Sequence, residues 1–124
     1  MNRCHPMSPG PLVSQIYCSA LPVAYAGHRD APWSEFARLV LDAAYEATLL
    51  AGVLNAARGA SNRVLLTRLG GGAFGNDDDW IDAAILRALR LVRNQDLEVE
   101  VVSYGVPSSG LRNLVRTFTE EMAS

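Results

Sequence analysis

The residues best suited to chemistry are Gly70-Gly71-Gly72-Ala73-Phe74-Gly75-Asn76, followed at once by Asp77-Asp78-Asp79. Glycines put no side chain in the way of a ligand and tolerate positive φ. Between a strand and a helix, such a loop lies beside the unpaired N–H groups of the helix N-terminus. Those groups carry partial positive charge and favour a phosphate. Gly75 lets the chain turn sharply into the helix, and Phe74 suits the face of a sugar or a ring. The three aspartates oppose an unscreened anion. Their plainer role is in the first helical turn, where carboxylates complement the helix dipole, although one of them is also suited to meet a ribose hydroxyl. The plainer reading of the whole loop is a tight turn with Phe74 capping the core.

Gly70, Gly72 and Gly75 also fit GxGxxG. That fingerprint expects an acidic residue about twenty positions on, at the end of the next strand. Here that strand ends in Val101-Val102-Ser103, with Glu98 and Glu100 at its start, which disfavours a nicotinamide-type Rossmann domain. Paired glycoside carboxylates, a Ser-His-Asp set and a Cys-His pair are not evident. His28 reads as a solvated turn histidine and Ser108-Ser109-Gly110 as a helix cap. No catalytic residue is identified. Asp77, Asp78 and Asp79 are the candidate acids, but a general acid must reach the scissile bond, and first-turn carboxylates beside a phosphate are badly placed for that. No cofactor is implied. A metal is not expected, because His5 and His28 lack ligand spacing to Cys4 or Cys18.

The elements that would position the loop follow from periodicity. Residues Met1 to Ser14 form an irregular leader rich in Pro, Ser and Gly. Gln15 to Tyr25 reads as an apolar strand disturbed by Pro22, and Gly27-His28-Arg29-Asp30 as a turn. A helix is expected from about Pro32 to Ala57, with Trp33, Phe36, Ala37, Val40, Leu41, Ala44, Tyr45 and Thr48 on one apolar face and a stop at Gly59. Val64-Leu65-Leu66-Thr67 suits a strand buried on both faces. Asn76 or Asp77 then caps a helix to about Arg93, facing inward with Trp80, Ile81, Ala84, Ile85, Ala88, Leu89 and Val92. Leu97 to Ser103 is a strand with a partly exposed start. Ser108 or Ser109 caps a last helix with Leu111, Leu114, Val115, Phe118 and Met122 inward. This β-α-β-α-β-α order implies a parallel sheet with right-handed crossovers.

The 124 residues suit one domain. With 49% hydrophobic and 19% charged residues, the chain is expected to fold rather than stay disordered. A net charge of −2 argues against general nucleic-acid binding and against a membrane surface. All eleven basic residues are Arg, which excludes Schiff-base chemistry and a P-loop lysine. A Cys4–Cys18 bridge is not expected. No run is expected to span a membrane. Arg3 and the apolar stretch ending Ala24-Tyr25-Ala26 resemble a signal peptide loosely, but Pro9, Pro11, Pro22, Ser14, Gln15 and Ser19 oppose that reading. A cytoplasmic chain is expected.

Residues 15–124 resemble the second half of a macro domain, the ADP-ribose-binding fold. Three stretches carry the likeness: Leu41-Asp42-Ala43-Ala44-Tyr45-Glu46-Ala47-Thr48-Leu49, the loop Gly72-Ala73-Phe74-Gly75-Asn76, and a last apolar strand running to Tyr104. The loop is similar to the family's diphosphate loop, most of all in bacterial poly(ADP-ribose) glycohydrolase-like members. The resemblance implies a small three-layer parallel-sheet α/β domain lacking its N-terminal strands. It implies that Gly70 to Asn76 hold the diphosphate of ADP-ribose or a related nucleotide, Phe74 flanks the distal ribose and Tyr104 meets the adenosine end, although Tyr104 reads equally well as a strand-end aromatic packed on the core. The family's adenine-recognising Asp, its Asn-bearing loop and its glycine-triplet–Gln-Glu-Glu signature have no counterpart here. The expectation is therefore binding without intact catalysis. An ADP-ribosyl or poly(ADP-ribose) hydrolase is the first alternative. The second is a non-catalytic fragment, degenerate paralogue or half of a split assembly that pairs with a partner or self-associates through an exposed sheet edge.

Overall fold

The computed structural model describes residues 12–22, 31–70, 75–103 and 105–123. They form helix α1 (Ala31–Ala57), strand β1 (Arg63–Leu66), helix α2 (Asp78–Leu91), strand β2 (Glu98–Val101) and helix α3 (Ser109–Met122). β1 and β2 pair in parallel, with Arg63 opposite Glu98 and Leu66 opposite Val101. The ladder is extended by Glu98 N–H to Asn62 O (2.9 Å) and Val102 N–H to Leu66 O (2.8 Å). The chain is thus an α/β protein with a two-stranded parallel sheet among its described residues.

Local chemistry sets the element ends. After α1, Gly59 takes φ +85°. Ala60 N–H reaches Asn55 O (2.9 Å) and Gly59 N–H reaches Ala56 O (3.1 Å). These are the 6→1 and 5→2 bonds of a Schellman stop. Ser108 caps α3 as expected, its Oγ accepting from Leu111 N–H at 3.1 Å. Asp77 precedes α2 in an extended conformation without a side-chain cap bond.

The core lies between the helices and one face of the β1–β2 ribbon. Leu41, Tyr45 and Leu49 of α1 meet Ile81, Ala84, Ile85 and Ala88 of α2, with Val64 and Leu66 of β1 and Leu114 of α3. Burial of this apolar surface is the main stabilising term. α1 comes close to β1 at Gly52, where a Cβ would stand 2.6 Å from Val64 Cγ2. Arg87 to Glu46 (2.8 Å) ties α2 to α1, and the two-pronged Arg90–Glu121 pair ties α2 to α3.

Four expectations are corrected. Residues 15–22 of the expected first strand are not a strand. They form an extended strap along α1: Ser14 meets Asn55 and Arg58, and Cys18 Sγ lies 3.9 Å from Thr48 Oγ1. Ala20 alone on this stretch is buried, and Ile16 and Tyr17 stay exposed. Residues 23–25 and the turn at 27–30 lie outside the described residues. Next, β1 is buried on one face only. Val64 and Leu66 point into the core, whereas Leu65 is 62% exposed beside Arg63, Glu98 and Glu100. Among the described residues, helices thus cover one side of the ribbon. Then, Phe36 belongs to the outer side of α1, and Val115 and Met122 are half exposed on α3. Finally, Trp33–Ala57 is long and apolar enough to cross a membrane by length and composition. Periodicity missed this because α1 is apolar on two opposite sides.

Candidate ligand-binding loop

β1 delivers the chain to the glycine turn, and Tyr45 holds its end. The Tyr45 hydroxyl donates to Thr67 O (2.5 Å) and accepts from Leu69 N–H (2.8 Å). Tyr45 is almost fully buried. Burial raises its pKa above the ordinary tyrosine value, against the opposing pull of the Leu69 N–H and the Arg68 charge. A neutral phenol therefore fixes the exit of β1.

Gly70 begins the turn at φ +75°, and Gly75 closes it at the same value. A side chain at Gly70 would collide with the Ala20 methyl and would stand 2.6 Å from Asn76 Nδ2. Both the backbone conformation and the space therefore require glycine there. Asn76 N–H bonds to Gly70 O at 2.9 Å, so the two ends of the loop are tied together.

Asn76 is the buried polar residue of this loop, 5% exposed. Its Nδ2 donates to Leu21 O (2.8 Å) and to Gly70 O (3.0 Å). Two carbonyl partners fix which amide atom is nitrogen. Oδ1, on the other side, is buried and has no hydrogen-bond donor among the described residues. A buried acceptor left without a donor costs free energy, so a ligand hydroxyl or N–H reaching it would be favoured.

Arg68 sets the charge beside the loop. It pairs with Asp82 through Nη1 and with Asp78 through Nη2 (3.2 Å). Burial alone would lower its pKa, but the hydrogen bonds and charges of Asp82 and Asp78 outweigh that and raise it. Two of the carboxylates near the start of α2 are thereby offset. Asp77 and Asp79 are exposed. Gly110, at the start of α3, closes over this pair, since a Cβ there would stand 2.7 Å from Asp82 Oδ2.

Of the residues expected at the site, Gly70, Gly75 and Asn76 are brought together around one turn at the N-terminus of α2. Gly71, Gly72, Ala73, Phe74 and Tyr104 lie outside the described residues. Sequence reasoning missed the supports. Arg68 carried a signal: an arginine two residues before the loop, with Asp78 and Asp82 one helical turn apart beyond it. Tyr45 was read as a core residue and as part of the helix stretch that carries the likeness, not as a support of the loop, and Leu21 had no signal. A shallow depression lies at the other end of the ribbon, lined by Ala56, Ala57, Asn62, Gln95 and Asp96 among others. It is remote from the turn and has no opposed charged pair. No family model, curated protein or solved structure matches the chain.

Proposed function

We propose that the Gly70–Asn76 loop binds the diphosphate of ADP-ribose or a related nucleotide and that the chain is a macro-like binding module without intact catalysis. The observation that carries this reading is Asn76: a buried amide that closes the turn with one atom and offers an unfilled acceptor with the other. Backbone N–H groups at the start of α2 favour phosphate oxygens, and Oδ1 suits an adjoining ribose hydroxyl. Arg68 supports the site by offsetting Asp78 and Asp82.

The three-layer form of the fold belongs to the same proposal. The strap runs antiparallel to α1, which itself runs opposite to β1, so the strap shares the direction of β1 and ends at the loop. That suits the course of a further parallel strand. The open face of the ribbon would take a second helical layer.

Titration calorimetry of the full chain with ADP-ribose tests the binding. Saturable heat at high micromolar ligand, lost in Gly72→Glu because a carboxylate occupies the phosphate space, is the expected result. No heat up to about 1 mM, where binding is worth only about 4 kcal/mol, overturns it. Turnover of an ADP-ribosylated substrate that vanished in Asp77→Asn would favour the hydrolase reading instead.

A further inference from the structure

Helix α1 is apolar on the side that faces away from the core. Phe36 is 50% exposed, Leu39 61%, Leu50 47% and Leu54 69%. Ala43 and Ala47 are exposed between them and Val40 is half-buried. At 100° per residue, positions 36, 40, 43, 47, 50 and 54 form one stripe with alternating steps of four and three, the seam spacing of paired helices. Glu35, Asp42 and Glu46 run along one flank of the stripe. The strap runs along the other, with Leu12, Val13 and Tyr17 mostly exposed.

The stripe is also a palindrome about position 45. Phe36 mirrors Leu54, Val40 mirrors Leu50 and Ala43 mirrors Ala47. Phe36 thus faces Leu54 and Val40 faces Leu50 toward the ends, and alanines meet at the centre. A twofold contact requires one patch to complement itself, and this order of sizes does so in an antiparallel pair. Phe36 is braced by Trp33, their ring centroids 6.2 Å apart.

We infer that α1 is the interface of a twofold dimer of this chain, packed antiparallel through Phe36, Val40, Ala43, Ala47, Leu50 and Leu54. The area sets a further requirement. The 27 residues of α1 span about 40 Å. With a width of about 10 Å, a helix pair alone covers about 400 Å² per partner, short of the roughly 800 Å² of a stable interface. In this arrangement both straps fall on the same side of the helix pair, and their exposed Leu12, Val13 and Tyr17 are the apolar surface placed to add to the contact. On the opposite side the two Glu46 carboxylates approach near the axis, and each is already paired with its own Arg87 at 2.8 Å.

Sedimentation equilibrium of the full chain in detergent-free buffer is the test. The expected mass is twice the 13.4 kDa of the chain, and Ala47→Arg should weaken dimerisation at least tenfold while leaving the far-UV circular dichroism of the fold intact, its melting temperature falling only by the share that dimerisation contributes. Leu54→Glu is the second variant should Ala47→Arg misfold. In a Cys4→Ser, Cys18→Ser background, Ala43→Cys with Ala47→Cys should oxidise to a covalent dimer, whereas Ala43→Cys alone should not. Three results would overturn the inference: a monomer at about 100 µM, a dimer indifferent to Ala47→Arg and Leu54→Glu but broken by Leu65→Arg on the ribbon, or a chain that partitions into lipid vesicles instead of pairing.

Discussion

Replacing Tyr45 by Phe removes one oxygen and two hydrogen bonds, to Thr67 O at 2.5 Å and from Leu69 N–H at 2.8 Å. The ring still fills its place between α1, α2 and β1. Each bond contributes about 0.5–1.5 kcal/mol net, and a half-buried N–H left unpaired adds to the cost. The expected loss is about 1–3 kcal/mol. For a chain of this length that is a fall of roughly 4–12 °C in melting temperature. A second signature follows from ionisation. The folded-state pKa of Tyr45 is raised, chiefly by burial. Above about pH 10 the unfolded chain gives up this proton while the folded chain keeps it. Stability from this group is therefore complete below pH 10 and falls as pH rises, by at most about 1.4 kcal/mol per pH unit. Urea unfolding at pH 8 and at pH 11 measures both effects. The other tyrosines are common to both proteins, so the difference isolates Tyr45. A loss under about 0.5 kcal/mol at pH 8, or an alkaline slope identical in Tyr45→Phe, would refute this account of how β1 is anchored.

Other outcomes follow from the same geometry. Gly70→Ala should cost about 2–4 kcal/mol in chemical denaturation, since a positive φ costs about 1–2 kcal/mol and the methyl would also meet Ala20 and Asn76 Nδ2. Asn76→Ala should cost about 1–3 kcal/mol, and hydrogen exchange of residues 14–21 should quicken as the strap loses its tie at Leu21 O. Arg68→Ala leaves Asp82, a mostly buried carboxylate, without its cation. It should cost about 2 kcal/mol, recovered in large part by adding Asp82→Asn, a coupling that a double-mutant cycle reads. Ser108→Ala should destabilise α3 by about 1 kcal/mol, seen as a shift in urea midpoint without a change in slope.

The parts of the fold legible from sequence are those fixed by local chemistry. Gly59 stops α1, Ser108 starts α3, and the alternation of Glu98 and Glu100 with Val99 and Val101 orients β2. The burial of Ile81, Ala84, Ile85, Ala88 and Leu89 on α2 follows from a helix with one apolar side. Where two sides are apolar, periodicity has no means to choose. On α1 the side of Leu41, Tyr45 and Leu49 is the one complementary to α2, and that is settled only by packing. The strap misled for a related reason: Ile16, Tyr17 and Leu21 have strand-like side chains, but a strand also needs a neighbour to pair its backbone. At the loop, glycines and position announce a turn. The long-range partners that hold it, Tyr45, Arg68 and Leu21, are set by how elements distant in sequence meet.

The amide of Asn76 makes the strap and the loop parts of one balance. Its two N–H groups are both spent, one on residue 21 and one on residue 70. If a ligand fastens the loop, the first bond is held in place too, and the strap is harder to peel away. By reciprocity, anything that draws the strap off α1 weakens the ligand by the same factor. Protease cleavage within residues 12–22 would then report occupancy of a site some fifty residues further along the chain. A protein that captures this N-terminal segment would act as a competitor without touching the site itself.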